Sequence, residues 1–373
     1  MKKILSTLLL LAIIFSLCAC GNSPQKPAGS GDAPSAETQI IKDAHGREVT
    51  VPLNAQKIVA LSNTPRLVVY LGLKDRVVGY SGMDPQKVTP VTAYAYAAKE
   101  TWASVPIVGT DAGGNTDYYP EMIIKAAPDV IFCNYAEDVA DGLQKQTGIP
   151  VVSVAMGSLF GEDYNESLRT IAKVCGVEQR AEDVIKFVND CLADLKNRTE
   201  KINDSEKPTV LSAAATFKGA HGIEGVRIKD SLLAAVSANN IAKDLEVKGN
   251  ATAVEVEKEQ ILKWNAEYIF CDYSGVKLVK EDAKANPDFY AQLDAYKNGK
   301  IYQHPSSTSY YSNLEIPLAN AYFIGSIIYP KAFEDVELNA KANEIFKFFL
   351  GVDNYMDELN KFGASYGPID FSK

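Results

Sequence analysis

Two carboxylates open two copies of one phrase. Glu121 begins EMIIKAAPDVIFCNY (residues 121–135) and Glu259 begins EQILKWNAEYIFCDY (residues 259–273), at a constant offset of 138 residues and with seven of fifteen positions identical. A Glu in the first turn of a helix is favoured by the helix dipole alone, with no partner required. Nineteen tyrosines accompany these carboxylates, many of them between apolar runs and interspersed with Arg and Lys. Tyr joins aromatic contact to a hydroxyl for hydrogen bonding, and Arg and Lys suit a ligand carrying negative charge. The residues placed to form such a ligand site are Asn63, Arg66, Tyr94, Tyr96, Trp102, Tyr135, Lys218, His221, Arg227, Tyr273, Tyr310 and Tyr311. For any single Tyr among them, half-buried packing is the competing explanation; only the set is informative.

Signatures of catalysis are missing from the sequence. It contains no Gly-rich loop ending in GK[ST], no H-E-x-x-H and no G-x-S-x-G. The three histidines, His45, His221 and His304, stand at no metal-ligand spacing from one another. Neither an enzyme nor a resident metal site is expected. A formal charge of −9 over 373 residues argues against nucleic acid as a partner, since phosphate binding needs a basic surface.

The elements that must position these residues follow from pattern. Lys2 and Lys3 precede the apolar run Ile4 to Leu17, too short to span a bilayer comfortably and built like an export leader. The run closes on LCAC and Gly21, which looks like a bacterial lipobox, so a leader at 1–19 and lipidation of Cys20 are expected, with an ordinary cleaved leader as the alternative. Residues 20–38 hold the modified Cys and a Gly-, Ser- and Pro-rich tether. Then IIKDAHGREVTVP reads as two short strands about a turn. Short apolar runs (KIVAL, RVVGY, DVIFCNY, PVVSVAM) alternate with helical stretches, and the rhythm restarts past residue 205 with TVLSAAA, EYIFCDY and KIYQHP. Alternation of this kind predicts α/β lobes on mainly parallel sheets flanked by helices. Between them, residues 177–202 carry an apolar stripe at steps of three and four with no Gly or Pro, a helix of about 36 Å. It reads either as a surface helix of one lobe or as a rigid strut joining two. The expected division is an N-terminal lobe at 39–176, a linking helix at 177–203 and a C-terminal lobe at 204–373. Cys133, Cys175, Cys191 and Cys271 lie in apolar strand or helix patterns and read as free, buried thiols.

In that order, DAHGREVTVP followed by a first strand, VVYLGLKDRVVGY, EMIIKAAPDVIF, SANNIAKDL and VEVEKEQILKWNAEYIF resemble the solute-binding lipoproteins of ABC importers, in the iron-complex and cobalamin class and its predicted metal-complex or haem branch. The C-terminal copy departs from the pattern, with Ala266-Glu267 where the family usually shows Pro-Asp. The resemblance implies two lobes joined by one long helix, with the ligand cleft between them; a long stiff strut resists large hinge motions, so only modest closure is expected. It implies an extracytoplasmic receptor anchored to the membrane by lipid, working as a monomer with a two-fold permease and its cytoplasmic ATPase. Glu121 and Glu259 fall on the family's permease-docking positions. The cargo implied is an Fe(III) complex, siderophore ahead of haem, or cobalamin, with no permanently bound cofactor. A non-transport sensor and an extracytoplasmic chelatase-like enzyme are the competing readings.

Overall fold

The protein is described here by a computed structural model covering residues 37–110, 116–247, 249, 251–306 and 313–372. The expected leader, Cys20, Tyr310 and Tyr311 lie outside the described residues. The first element is an antiparallel hairpin, β1 (Thr38–Lys42) and β2 (Glu48–Pro52). Its turn is organised by the buried carboxylate of Asp43. One oxygen accepts the backbone N–H groups of His45 and Arg47, each at 3.0 Å. The other pairs with the Arg47 guanidinium at 2.6 Å and accepts the Ser153 N–H at 3.2 Å. Gly46, at φ 82°, supplies the left-handed step between them. The D-x-x-G-R signature thus fastens the hairpin to the edge of the first sheet.

That sheet has the order β5-β4-β3-β6-β7 and is wholly parallel. Its strands are β3 (Ile58–Ala60), β4 (Val77–Ser81), β5 (Ile107–Gly109), β6 (Val130–Cys133) and β7 (Val151–Ser153). The second sheet uses β8 (Thr209–Ala213), β10 (Asn239–Asn240), β12 (Tyr268–Asp272), β13 (Ile301–His304) and an antiparallel edge, β14 (Gly367–Pro368). Its order is β10-β8-β12-β13-β14, and a separate ribbon pairs β9 (Gly225–Arg227) with β11 (Ala253–Glu255). Strands such as Ile58-Val59-Ala60 and Val130 to Cys133 are buried at every residue, as expected when helices cover both faces of a parallel sheet. Cys133, Cys175, Cys191 and Cys271 are free and buried; burial pushes the Cys191 thiol up to about 11.

The repeated phrase is one structural unit used twice. Helix Pro120–Ala126 ends on Ala127 in the left-handed region (φ 48°) and turns into β6; helix Lys258–Trp264 ends on Asn265 (φ 41°) and turns into β12. Each helix buries a single residue, Ile123 or Ile261.

The apolar stripe at 177–202 forms the helix Glu178–Thr199, 22 residues and about 33 Å long. Ala181, Val184, Ile185, Val188, Cys191 and Leu195 are buried along it. Near its start Arg180 donates to the carbonyls of Tyr70 (2.9 Å) and Phe348 (2.6 Å), and near its end Arg198 pairs with Asp335 at 2.6 Å. Helices Leu338–Leu350 and Tyr355–Phe362 fall in the chain between strands β13 and β14 of the second sheet, yet pack against the first lobe. Phe349 meets Tyr70 edge-on at 5.1 Å, Tyr355 donates to the carbonyl of Pro90 at 2.8 Å, and Tyr96 donates to Glu358 at 2.7 Å. Chain order alone could not place them there, because an amphipathic helix buries its stripe against whichever apolar face lies nearest. As a result one apolar core runs from Ile41 and Val51 through the linking helix to Phe270, Phe323 and Phe349. At the seam, the Tyr70 hydroxyl donates to the buried Glu315 and accepts the Leu314 N–H at 3.1 Å. Burial lifts the Glu315 carboxyl above its ordinary range, with Tyr70 and Arg66 countering in part.

A shared core predicts a single cooperative calorimetric transition for residues 37–373, and two resolved transitions would contradict it. Phe349→Ala should cost about 3–5 kcal/mol and move the whole transition. Glu315 binds its proton more tightly when folded, so its stabilising contribution is present at low pH and declines as pH rises past the ordinary carboxylate value. Glu315→Gln keeps an acceptor for Tyr70 and should flatten that decline in melting experiments from mildly acidic to mildly alkaline buffer.

Candidate functional site

In sheets of this kind, ligands collect beyond the carboxyl ends of the parallel strands. A cleft of about 520 Å³ lies between the lobes there. Gly157, Ser158 and Leu159, which follow β7, form one wall; Arg227, Lys229, Asp230, Ser231, Leu232, Ala234, Thr252 and Pro317 form the other. Gly157 is required by its setting, since it sits at φ 53° and a Cβ would meet the Asp163 side chain at 2.5 Å. Asp230 caps the short helix Ser231–Ala235, accepting from Leu232 (2.8 Å) and Leu233 (3.3 Å).

Arg227 closes β9 with its side chain 14% exposed, and its guanidinium is held by Asp272 at 2.7 Å. Asp272 is buried at the end of β12 and also accepts the Thr216 N–H at 2.9 Å. Burial acts to raise the Asp272 carboxyl, but the Arg227 charge, the neighbouring His304 and these hydrogen bonds outweigh it and hold it below the ordinary range. An ionised, buried carboxylate therefore fixes the cationic arm on the cleft wall. The matched position of the first lobe carries Asn134, whose side-chain oxygen accepts from the backbone and side-chain N–H groups of Asn63 at 3.1 and 3.2 Å. In both lobes, the residue after the repeated Ile-Phe-Cys is the acceptor that organises a neighbouring loop.

The structure disperses the other sequence candidates. Asn63 accepts from Arg66, and the buried Arg66 guanidinium stands 5.2 Å over the ring of the buried Tyr94. Trp102 is corrected from ligand contact to core: it is 1% exposed, packs 4.7 Å from Tyr80 and donates its indole N–H to the carbonyl of Lys74 at 3.0 Å. Its large apolar surface is worth more to folding than to an open cleft. Tyr96 bridges to the C-terminal helix through Glu358. Tyr135 is buried against Tyr118 at 5.7 Å. Lys218 is exposed, whereas His221 stacks on Phe217 at 3.8 Å and is braced by Glu255 at 2.8 Å. Tyr273 lines a separate groove with Lys277, Lys280 and Lys284. Of the named residues, Arg227 alone is in the described lining of the cleft.

Sequence reasoning passed over Asp272, Thr216, Asp230 and the Gly157–Leu159 wall. Only Asp272 carried a signal, as the Asn-to-Asp change within the repeat.

Glu121 and Glu259 are both exposed, each in the first turn of its helix. Among the described residues, no helix is long and apolar enough to cross a membrane.

Known proteins of this build confirm the architecture. The chain is 25% identical over 311 residues to the uncharacterized ABC transporter substrate-binding lipoprotein YvrC of Bacillus subtilis, covering 81% of this chain and 90% of that one. It is 24% identical over 313 residues to the Fe(3+)-citrate-binding protein YfmC of the same organism, covering 82% and 89%. The solved structure of the Haemophilus influenzae molybdate periplasmic binding protein MolA, bound to molybdate, superimposes with a TM-score of 0.64 at 20% identity, covering 84% and 97%. The model of the family described as periplasmic binding protein matches residues 58–308. The chain belongs to that family: it is an extracytoplasmic, non-enzymatic substrate-binding protein of an ABC transporter, with a permease as its partner.

Proposed function

We propose that the protein captures an iron complex, a ferric siderophore ahead of haem, in the cleft between its lobes. It then hands the complex to the two-fold permease through Glu121 and Glu259, while lipid on Cys20 holds it at the membrane. The observation that carries the cargo is the pair of cations, Arg227 and Lys229, which share one wall of a cleft of about 520 Å³ with the helix-capping carboxylate of Asp230. A ferric chelate rich in carboxylate or phenolate oxygen presents the negative charge these groups favour. Haem and cobalamin are the alternatives within the same cleft, haem by ligation of its iron and cobalamin by aromatic contact. The cationic wall and the likeness to a molybdate-binding relative support a bare oxyanion as the second reading.

Neither Trp102 in the core nor Trp264 on its helix lines the cleft, so calorimetry is a better probe than tryptophan fluorescence. Titration with ferric citrate, a ferric catecholate siderophore, haemin, cobalamin and molybdate should show a ferric chelate binding with a Kd of about 1 μM or tighter. Tight binding of haemin or molybdate alone would replace this reading. Lys229→Ala, on an exposed side chain, should weaken binding about 3- to 10-fold and Arg227→Ala about 10- to 100-fold. Equal affinity in both variants would remove the cationic wall from recognition.

Glu121→Gln with Glu259→Gln should leave that affinity unchanged and reduce uptake by whole cells about 10-fold or more. Undiminished uptake with intact binding would favour a sensor that has lost its transport role.

A further inference from the structure

Helices Pro120–Ala126 and Lys258–Trp264 are one unit written twice, so a difference at matched positions is a built-in comparison. Each buries one Ile and exposes a Glu and, four residues on, a Lys: Glu121 and Lys125 in the first, Glu259 and Lys263 in the second. At about 100° per residue, the Glu and Lys form a crest opposite the buried Ile, and the residues on either side of that Ile form the flanks. The first ridge has Met122, 40% exposed, and Ile124, 48% exposed, as flanks. The second has Gln260 and Leu262, both half-buried. Met122 and Ile124 are two of the six large hydrophobic side chains exposed among the described residues, and they bracket a proposed docking carboxylate. Folding does not require them in water, because Ile123 already meets the helix's need for burial. Apolar groups collected around one charge describe a contact that gains by excluding water, whereas an isolated charge describes one that acts by steering.

We infer that the two docking points divide the work of holding the permease. The ridge at 120–126 is an apolar-flanked anchor that enters a pocket of one membrane-spanning subunit with a cationic floor and apolar walls. The ridge at 258–264 is a polar contact that orients the receptor through charge. The inference rests on the docking role proposed for Glu121 and Glu259. Its partner is specified by chemistry: the Glu121 carboxylate requires a Lys or Arg, and the Met122 and Ile124 flanks require apolar walls around it. Dissociation then begins at the C-terminal lobe and is limited by release of the N-terminal one.

The test uses the full-length receptor and its permease–ATPase complex held in lipid nanodiscs, with association and dissociation rates read at low and high salt. Met122→Ser with Ile124→Ser should raise the dissociation rate about 10- to 100-fold, with the association rate and its salt dependence unchanged. Glu259→Gln should slow association at low salt and flatten its salt dependence, leaving dissociation close to that of the unmodified protein. Gln260→Ser, at the position matching Met122, should change neither rate. All substituted side chains are exposed or half-buried, and melting curves verify that each variant folds. If the Met122/Ile124 variant dissociates like the unmodified protein while the Glu variants slow association, the inference falls and the docking role stands. If none of the variants, Glu variants included, alters either rate, the docking role itself falls and takes the inference with it.

Discussion

The apolar core that passes from the first sheet, along helix Glu178–Thr199, into the second is the constraint on which the rest depends. Lobes joined only by a covalent linker would be free to swing, and the cleft and the two exposed carboxylates would have no fixed separation. Here the linking helix is buried on one stripe along its length, and Arg180 ties its start to both Tyr70 and Phe348. The C-terminal helices close the joint a second time, through Phe349 against Tyr70 and Tyr355 against Pro90. Cores of this density have discrete arrangements and do not bend continuously.

Within that frame the duplicated phrase does three jobs at three places. Its middle, Ile-Phe-Cys, is buried strand in both lobes and serves the cores. Its leading Glu is exposed in both and is available to a partner. The residue after the Cys is where the copies part: Asn134 organises Asn63, while the charged Asp272 holds Arg227 on the cleft wall. One substitution of amide by carboxylate thus turns a neutral loop clasp into a mount for a cation.

Much of the fold was legible because it rests on local pattern. Runs such as KIVAL and DVIFC, short and rich in β-branched residues, read as buried strands, and the apolar stripe from Ala181 to Leu195 reads as a helix face. The hairpin, too, announces itself through Asp43, Gly46 and Arg47. The site was far less legible. Residue type pointed to tyrosines and to Trp102, but a large ring is as useful in a core as in a cleft, and only burial distinguishes the two. The cleft wall is instead made by small and unremarked residues, Gly157 and Ser158 among them, brought opposite Arg227 by tertiary packing. Likewise the position of helix Leu338–Leu350 on the first lobe depends on a partner nearly 280 residues away in sequence, Tyr70, and no window of sequence contains both.

We propose that the shared core holds the two exposed ridges, Pro120–Ala126 and Lys258–Trp264, at a fixed distance whether or not cargo is bound. Spin labels at Lys125 and Lys263, matched exposed positions on the two ridges, measure that distance directly by pulsed electron resonance. A single narrow distribution that moves by no more than about 2–3 Å when a ferric chelate fills the cleft is the predicted result. A broad distribution, or a shift on the order of 10 Å, would contradict a fixed separation, because the lobes would then be hinged.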